Sequence, residues 1–199
     1  KTPKTGLLHA ALQAGRDDLK IVPMAVAYDF VLEDQVLAHQ GVKRQQRPFA
    51  RELAEMVRYG VGYQSRAFVT FGAPLPLGGY DPGSRREVMG LASRIGDLIG
   101  KLHKVLPTAL VSAAMRPSIE LAELTDRIDG LIEVLRSNNA NLAVSTGQQA
   151  LDEAIEPMIE RGIVILDGTK CRVRERIVLR YYARSIQHLL SPSSDQATH

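Results

Sequence analysis

The sequence has a single cysteine, Cys171, among its 199 residues. One thiol excludes a disulfide within the chain, and such sparse cysteine usage is typical of a reducing compartment. Long apolar runs are also missing. The best candidate, residues 105–115, contains Pro107 and falls well short of the roughly 20 residues that a membrane-spanning helix needs. The opening residues KTPKTG are polar and basic and lack the apolar core of a signal peptide.

A large excess of one sign of charge is also missing, because the formal net charge is only +3. A total this small does not indicate a nucleic-acid partner, so the distribution of charge is more informative. The densest basic cluster consists of Lys43, Arg44, Arg47 and Arg51. It is either a solvated loop or an anion site for substrate or CoA phosphates, an acidic protein partner or anionic lipid headgroups.

Motifs that carry chemistry are absent as well. The five histidines are His9, His39, His103, His188 and His199. None has a second metal-type ligand at helical spacing, and none is followed by an aspartate five positions later. There is no nucleophile elbow, Walker loop or glycine-rich dinucleotide loop. The residues alone therefore predict no catalytic residue, metal site or cofactor in this chain.

What the sequence does contain is a marked apolar run at residues 21–28 (IVPMAVAY), interrupted only by Pro23. The acidic residues behind it are Asp29, Glu33 and Asp34. A short apolar run bounded by charge predicts a strand buried on both faces of a mostly parallel sheet. The acidic residues would then lie at the carboxyl edge of the sheet, where α/β proteins bind ligands. The alternative is that this is only a core strand.

The rest of the chain mixes helical and strand patterns. Helices are predicted over residues 7–14, 49–59, 84–105, 108–115, 119–135, 146–160 and 175–190, and strands over 66–71, 163–166 and 171–173. Ser84 and Ser118 are predicted helix N-caps, and the proline- and glycine-rich residues 72–83 are predicted to be a loop. The pattern predicts an α/β part over residues 1–83, a helical part over 84–190 and a disordered tail over 191–199.

Four stretches resemble the bacterial membrane-bound glycerol-3-phosphate acyltransferases, of the glycerolipid acyltransferase superfamily, and occur in that family's order. Residues 3–6 (PKTG) resemble the end of the segment after the family's EGxRSR motif, and residues 21–33 are similar to its I/V-P-x-x-I/V-x-Y strand motif. Residues 68–77 (FVTFGAPLPL) look like FGxPxPL, and residues 179–190 (LRYYARSIQHLL) look like YYxNxIxHxL, with Arg184 where the family often has Asn. Residues 108–135 also resemble the family's TALL segment and the following helix.

The resemblance implies acyl transfer from acyl-CoA or acyl carrier protein to the sn-1 hydroxyl of glycerol-3-phosphate, which gives lysophosphatidate in phospholipid biosynthesis. It implies attachment to the cytoplasmic face of the inner membrane, with the lipid surface as a partner. The family's catalytic HxxxxD dyad and its phosphate-binding EGxRSR motif would precede Lys1. This chain would then be the later part of the αβ acyltransferase domain plus a helical C-terminal region, and inactive alone. A close variant would acylate dihydroxyacetone phosphate.

The family's roles carry over to few residues of this chain. Lys4 matches a lysine that could help to bind the substrate phosphate, although a solvated loop lysine is the alternative. Pro23 belongs to the strand motif that lines the substrate and acyl region in the family. The tail residues Tyr181, Tyr182 and His188 are expected to pack and form hydrogen bonds rather than to catalyse.

A non-enzymatic function is the second class of hypothesis. Residues 118–190 have the order helix, helix, hairpin, helix, which resembles a winged-helix module. In this reading Arg172, Arg174, Arg176 and Arg180 would face phosphates. The first two predicted strands have no role in that reading, so the acyltransferase hypothesis, with no nucleic-acid partner, is the preferred one.

Overall fold

The computed structural model describes residues 4–16, 18–31, 34 and 65–190. The helices are α1 (Gly6–Gln13), α2 (Arg85–Leu102), α3 (Pro107–Ala114), α4 (Leu121–Ser137), α5 (Gly147–Glu160), α6 (Arg176–Ser185) and α7 (Gln187–Leu190). The strands are β1 (Lys20–Ile21), β2 (Met24–Tyr28), β3 (Ala67–Phe71), β4 (Leu75–Pro76), β5 (Lys104–Val105), β6 (Ser118–Glu120), β7 (Asn141–Leu142), β8 (Val164–Asp167) and β9 (Lys170–Val173). The expected mixture of helix and strand is confirmed. The predicted helix 49–59 and the predicted tail 191–199 lie outside the described residues.

The chain divides into two compact units. Unit 1 takes its described residues from Lys1–Val26 and Val69–Lys104, and unit 2 takes its described residues from Ala27–Phe68 and Val105–His199. The boundary between the units falls within β2 and within β3, so each of these two strands has residues in both units. The predicted domain boundary after residue 83 remains a prediction.

Unit 1 has a small core that joins α1, α2 and the strand pair β1–β4. Its buried members are Leu12, Leu75, Leu77, Val88 and Leu91. The prolines and glycines of residues 72–83 predicted a loop, but this stretch contains β4, which pairs antiparallel with β1. The reason is alternation: Leu75 and Leu77 point into the core while Pro76 between them is exposed.

The two helices of unit 1 largely follow the sequence pattern. Ser84 caps α2 as predicted, since its hydroxyl accepts a hydrogen bond from the Glu87 N–H at 3.4 Å. In α1 the apolar side chain of Leu7 is 90% exposed. The buried face is formed instead by Leu12 together with Leu8 and Ala11, at the i, i+3, i+4 spacing of one helical face.

Strand β2 is not buried on both faces, which corrects the prediction for the apolar run. The small residues Ala25 and Ala27 are buried, whereas the larger Met24 and Tyr28 are 47% and 52% exposed. The strand has β3 as its hydrogen-bonded neighbour in a two-stranded sheet. The strand pairs β1–β4, β6–β9 and β8–β9 are all antiparallel. The described strands therefore do not form a mostly parallel sheet.

Unit 2 is built around α3, which packs against α4, α5 and α6. All but one of the eight residues of α3 are buried, as its almost wholly apolar sequence predicts. Beside the helices lies a three-stranded antiparallel sheet in the order β6-β9-β8. Gly168 turns the β8–β9 hairpin with a φ of +60°, which glycine adopts without strain.

The predicted N-cap at Ser118 is wrong. Ser118 lies in β6, opposite Arg172 of β9, and helix α4 begins only at Leu121. Pairing with β9 satisfies the backbone of residues 118–120 in an extended conformation, and so delays the start of the helix by two residues.

Ser112 is a buried polar residue in the middle of α3. It is 4% exposed, and its Oγ has no hydrogen-bond partner among the described residues. We expect Ser112→Ala to raise the free energy of unfolding of unit 2 by roughly 1 kcal/mol, because an unsatisfied buried hydroxyl costs about 1–3 kcal/mol. Urea unfolding would measure the change. The reverse substitution Ala109→Ser on the same buried helix should lower stability, and a loss of stability in Ser112→Ala would show that the hydroxyl has a partner.

Within the described ranges, no helix combines the length and the apolar character needed to cross a membrane.

Candidate functional site

The candidate site lies in unit 2, where the chain leaves β2. The alternation that buries Ala25 and Ala27 continues one step further and buries Asp29. The N–H of Asp29 donates to the carbonyl oxygen of Arg66, the residue that precedes β3, at 3.2 Å. Asp34, the other acidic residue of this stretch that the structure describes, is buried as well.

Asp29 forms the first of two ionic clusters. Its Oδ2 accepts a hydrogen bond from Arg66 Nε at 2.6 Å, and Arg66 Nη2 donates to Glu153 Oε2 of α5 at 2.9 Å. The two carboxylates raise the pKa of Arg66, with the hydrogen bond to Asp29 as the largest cause. The Arg66 guanidinium remains largely exposed and lies 5.5 Å from the ring centroid of Phe68. Solvent screens an exposed pair of this kind, so the bond to Glu153 adds little stability.

The other Asp29 oxygen, Oδ1, is buried and has no hydrogen-bond partner among the described residues. A buried carboxylate oxygen without a donor is costly. The Arg66–Asp29 pair therefore satisfies only half of this carboxylate.

Asp34 forms the second cluster and is the more deeply buried acid, at 1% exposure. Its Oδ2 accepts a hydrogen bond from the Tyr182 hydroxyl at 2.6 Å and lies 2.9 Å from Arg161 Nη2. The same two residues hold the backbone of Val31: its N–H donates to Tyr182 Oη, and its carbonyl oxygen accepts from Arg161 Nη2, each at 3.1 Å. We call Asp34, Arg161 and Tyr182 the Asp34 cluster.

The aromatic ring of Phe30 closes the Asp34 cluster on its apolar side. It packs edge-on against Tyr182, with ring centroids 5.9 Å apart, and the Arg161 guanidinium lies 5.4 Å from its centroid. Arg161 is the C-cap residue of α5, a position where the helix dipole favours a cation. Tyr182 belongs to the buried face of α6.

The protonation state of Tyr182 limits what the cluster can do chemically. Burial, followed by the neighbouring Asp34 carboxylate, raises the pKa of the Tyr182 hydroxyl far above its ordinary value of 10.0. The phenol therefore stays protonated and serves as a donor to Asp34. The cluster holds Asp34 and the backbone of Val31 in position. It does not present a nucleophile or a general base to a substrate.

A metal is not supported at this site. Within the part of the chain that the structure describes, no group of three His, Cys, Asp or Glu residues is arranged to hold a metal ion.

The residues singled out by the resemblance are in different surroundings. Lys4 is exposed just before α1, whereas Pro23 is buried and its carbonyl oxygen accepts the Gly72 N–H at 2.8 Å. The binding roles assigned to both remain predictions. The basic cluster Lys43, Arg44, Arg47 and Arg51 lies outside the described residues. Lys4 and Pro23 belong to unit 1, whereas the Asp34 cluster belongs to unit 2.

The expectation that Tyr182 packs and forms hydrogen bonds is confirmed. His188 is exposed on α7, and Tyr181 is half-buried with its ring centroid 5.3 Å from that of Tyr182.

Sequence reasoning missed the two arginines that pair with the acids. One signal was present: Asp29 is in phase with Pro23, Ala25 and Ala27, and an acid in a buried phase requires a basic partner. The identity of that partner could not be read, because Arg66 is 37 residues away in the chain and Arg161 is 127 residues from Asp34.

A comparison of the chain with models of known protein families finds no match, and a comparison with curated proteins finds none either.

Proposed function

We propose that these residues are the later part of a glycerol-3-phosphate acyltransferase, which transfers an acyl group from acyl-CoA or acyl carrier protein to the sn-1 hydroxyl. The proposal rests on the four stretches that resemble the family in sequence and order. The observation that carries it is a contact between two of them. Val31, in the second stretch, donates its N–H to the hydroxyl of Tyr182, in the fourth, across 151 positions of sequence.

A second contact supports the same proposal within unit 1. The carbonyl oxygen of Pro23, in the second stretch, accepts the N–H of Gly72, in the third stretch. A residue with a Cβ at position 72 would approach Leu102 Cδ1 to 3.0 Å and Pro23 Cβ to 3.5 Å, so the glycine allows close packing here. Stretches chosen only for their likeness to the family are thus in direct contact in the folded chain.

In the proposed reaction the substrate hydroxyl oxygen attacks the thioester carbonyl carbon of the acyl donor. The new ester C–O bond forms, the C–S bond breaks, and the hydroxyl proton passes through a general base to the leaving thiolate. By the resemblance, that base is a histidine oriented by an aspartate in residues that precede Lys1. This chain would contribute β2 as a wall of the substrate channel and Lys4 as a phosphate contact.

Radiolabelled acyl-CoA and glycerol-3-phosphate test this proposal directly. The 199-residue chain alone is expected to give no labelled lysophosphatidate, because it contains no HxxxxD pair. The same polypeptide extended by its natural preceding residues should give turnover, with dihydroxyacetone phosphate as the comparison acceptor. Turnover by the chain alone would mean that the catalytic centre has been misplaced. Preceding residues without HxxxxD followed by EGxRSR would overturn the assignment.

A binding module is the second candidate, and the topology of unit 2 is what favours it. The order α3, β6, α4, β7, α5 and the β8–β9 hairpin, with the larger sheet arranged β6-β9-β8, resembles that of a winged helix. Nucleic acid is a poor partner for it. The exposed face of α5 carries Asp152, Glu153, Glu156 and Glu160, which repel phosphates.

The charge of the hairpin points the same way. Arg172, one of the four arginines of the phosphate-binding hypothesis, forms an ion pair with Asp167 at 3.0 Å. Salt-sensitive binding of duplex DNA by the chain would nevertheless favour this candidate over the acyltransferase.

A further inference from the structure

The residues that leave β2 contribute little to the core of unit 2. The core of unit 2 is formed by α3 to α7 with the sheet β6-β9-β8. Among the described residues, Phe30 is its only buried member that precedes Val105 in the chain. For the described residues 29–31 and Asp34, apolar burial in this core therefore comes from a single ring, and their other contacts with the helices described above are polar.

Arg66 links Asp29 to Glu153 of α5 through a largely exposed pair, and the buried polar attachment comes from two other side chains. Tyr182 contacts the Phe30 ring, the Asp34 carboxylate and the Val31 N–H. Arg161 contacts the same ring, the same carboxylate and the Val31 carbonyl oxygen. Both come from the helical core, Arg161 from the end of α5 and Tyr182 from α6.

We propose that the Asp34 cluster is a latch, by which the C-terminal helices hold residues 29–31 and Asp34 in place, and that this segment releases as a local unit while the helical core stays folded. Asp34 tolerates burial as an ion only while both partners are present. When one partner is lost, the carboxylate gains more by returning to water than by remaining in the cluster. Because Phe30 is the one residue of residues 29–31 and Asp34 that belongs to the buried core, these residues can move out without opening α3 or α4.

The latch makes Tyr182 and Arg161 positioning residues for the carboxyl end of β2. This role is independent of the acyl-transfer proposal, since it concerns only contacts within unit 2. In any reaction or binding event at this end of the strand, the C-terminal helices would set where the strand terminates.

Native-state hydrogen exchange of the ¹⁵N-labelled chain tests the latch with Tyr182→Phe, which removes one hydroxyl and keeps the ring. The informative amide is that of Asp29, which donates to Arg66 O and does not touch Tyr182. Its protection should fall roughly tenfold or more, the equivalent of about 1.4 kcal/mol for a lost hydrogen bond to a charged group. Protection of the core amides of Val111 and Ile128 should not change.

The control is Tyr80→Phe in unit 1, which likewise removes only a phenol hydroxyl; that hydroxyl accepts a hydrogen bond from Arg94 Nη1 at 3.3 Å. It should leave the Asp29 amide unaffected. If Tyr182→Phe does not fold, Asp34→Asn replaces it as the second latch variant, with the same expected pattern. An unchanged Asp29 amide, or an equal loss of protection at Asp29 and Ile128, would overturn the proposal, because the segment would then not release separately.

Discussion

Gly147→Ala is expected to lower the free energy of unfolding of unit 2 by about 3 kcal/mol, at the upper end of ordinary overpacking effects. Gly147 is the first residue of α5, and its N–H donates to Asp129 Oδ1 of α4 at 2.6 Å. A Cβ at this position would be 2.4 Å from the backbone carbonyl oxygen of Thr125 and 2.9 Å from Asp129 Oδ2. Both distances are too short, so either α4 and α5 must move apart or the hydrogen bond between the Gly147 N–H and Asp129 must break.

Gly130→Ala on the neighbouring helix α4 is the matched control. Nothing lies within 4 Å of a Cβ built at Gly130, and the position is exposed. The substitution should therefore stabilise the helix, by up to about 1 kcal/mol from propensity alone. Urea unfolding midpoints at an unchanged m-value measure both changes. Equal effects of the two substitutions would show that α4 and α5 do not approach as closely as Gly147 indicates.

Raising the pH from 9 to 11 is expected to remove roughly 2–3 kcal/mol of stability through Cys171, at 1.36 kcal/mol for each unit of pKa shift. The thiol is fully buried in β9, and burial raises its pKa from 9.0 to about 11. The folded state thus holds the proton more tightly than the unfolded state. The stabilisation is complete below pH 9 and is lost as the pH rises to the folded pKa.

Denaturant unfolding of the wild-type chain and of Cys171→Ala, at pH steps from 8 to 11, checks this pH dependence. The variant begins less stable, because a cavity replaces the thiol, but its stability should decline less between pH 9 and 11. Tyr182 also has a raised pKa, with burial as the largest cause, so both proteins should continue to lose stability above about pH 10. Parallel curves for the two proteins would contradict a buried, protonated thiol.

The helices were the most predictable part of the fold. The buried residues Leu124, Ile128 and Leu135 of α4 recur at helical spacing, and the helix predicted over residues 119–135 is observed over Leu121–Ser137. The N-cap of α2 at Ser84 was also predicted correctly from the sequence. Periodicity and capping depend on neighbours within a turn or two, so they can be read from a single segment.

Strand surroundings were less predictable. The apolar run 21–28 has the composition of a doubly buried strand, yet its larger side chains face outward. Burial of a strand face is determined by what packs on it, and no local pattern specifies a distant neighbour. The same limit explains Ser118, whose extended conformation depends on pairing with β9, more than fifty positions away in the sequence.

The sequence by itself determined that acidic residues follow β2, and that Tyr182 lies on an amphipathic helix. It also contained the four stretches on which the proposed function rests. Only the tertiary structure decided that Asp34 is buried, that Arg161 neutralises it, and that Tyr182 donates to it. The physical reason is that an ion is buried only where a counterion and a donor meet it, and the fold brings one group from the end of α5 and the other from the buried face of α6.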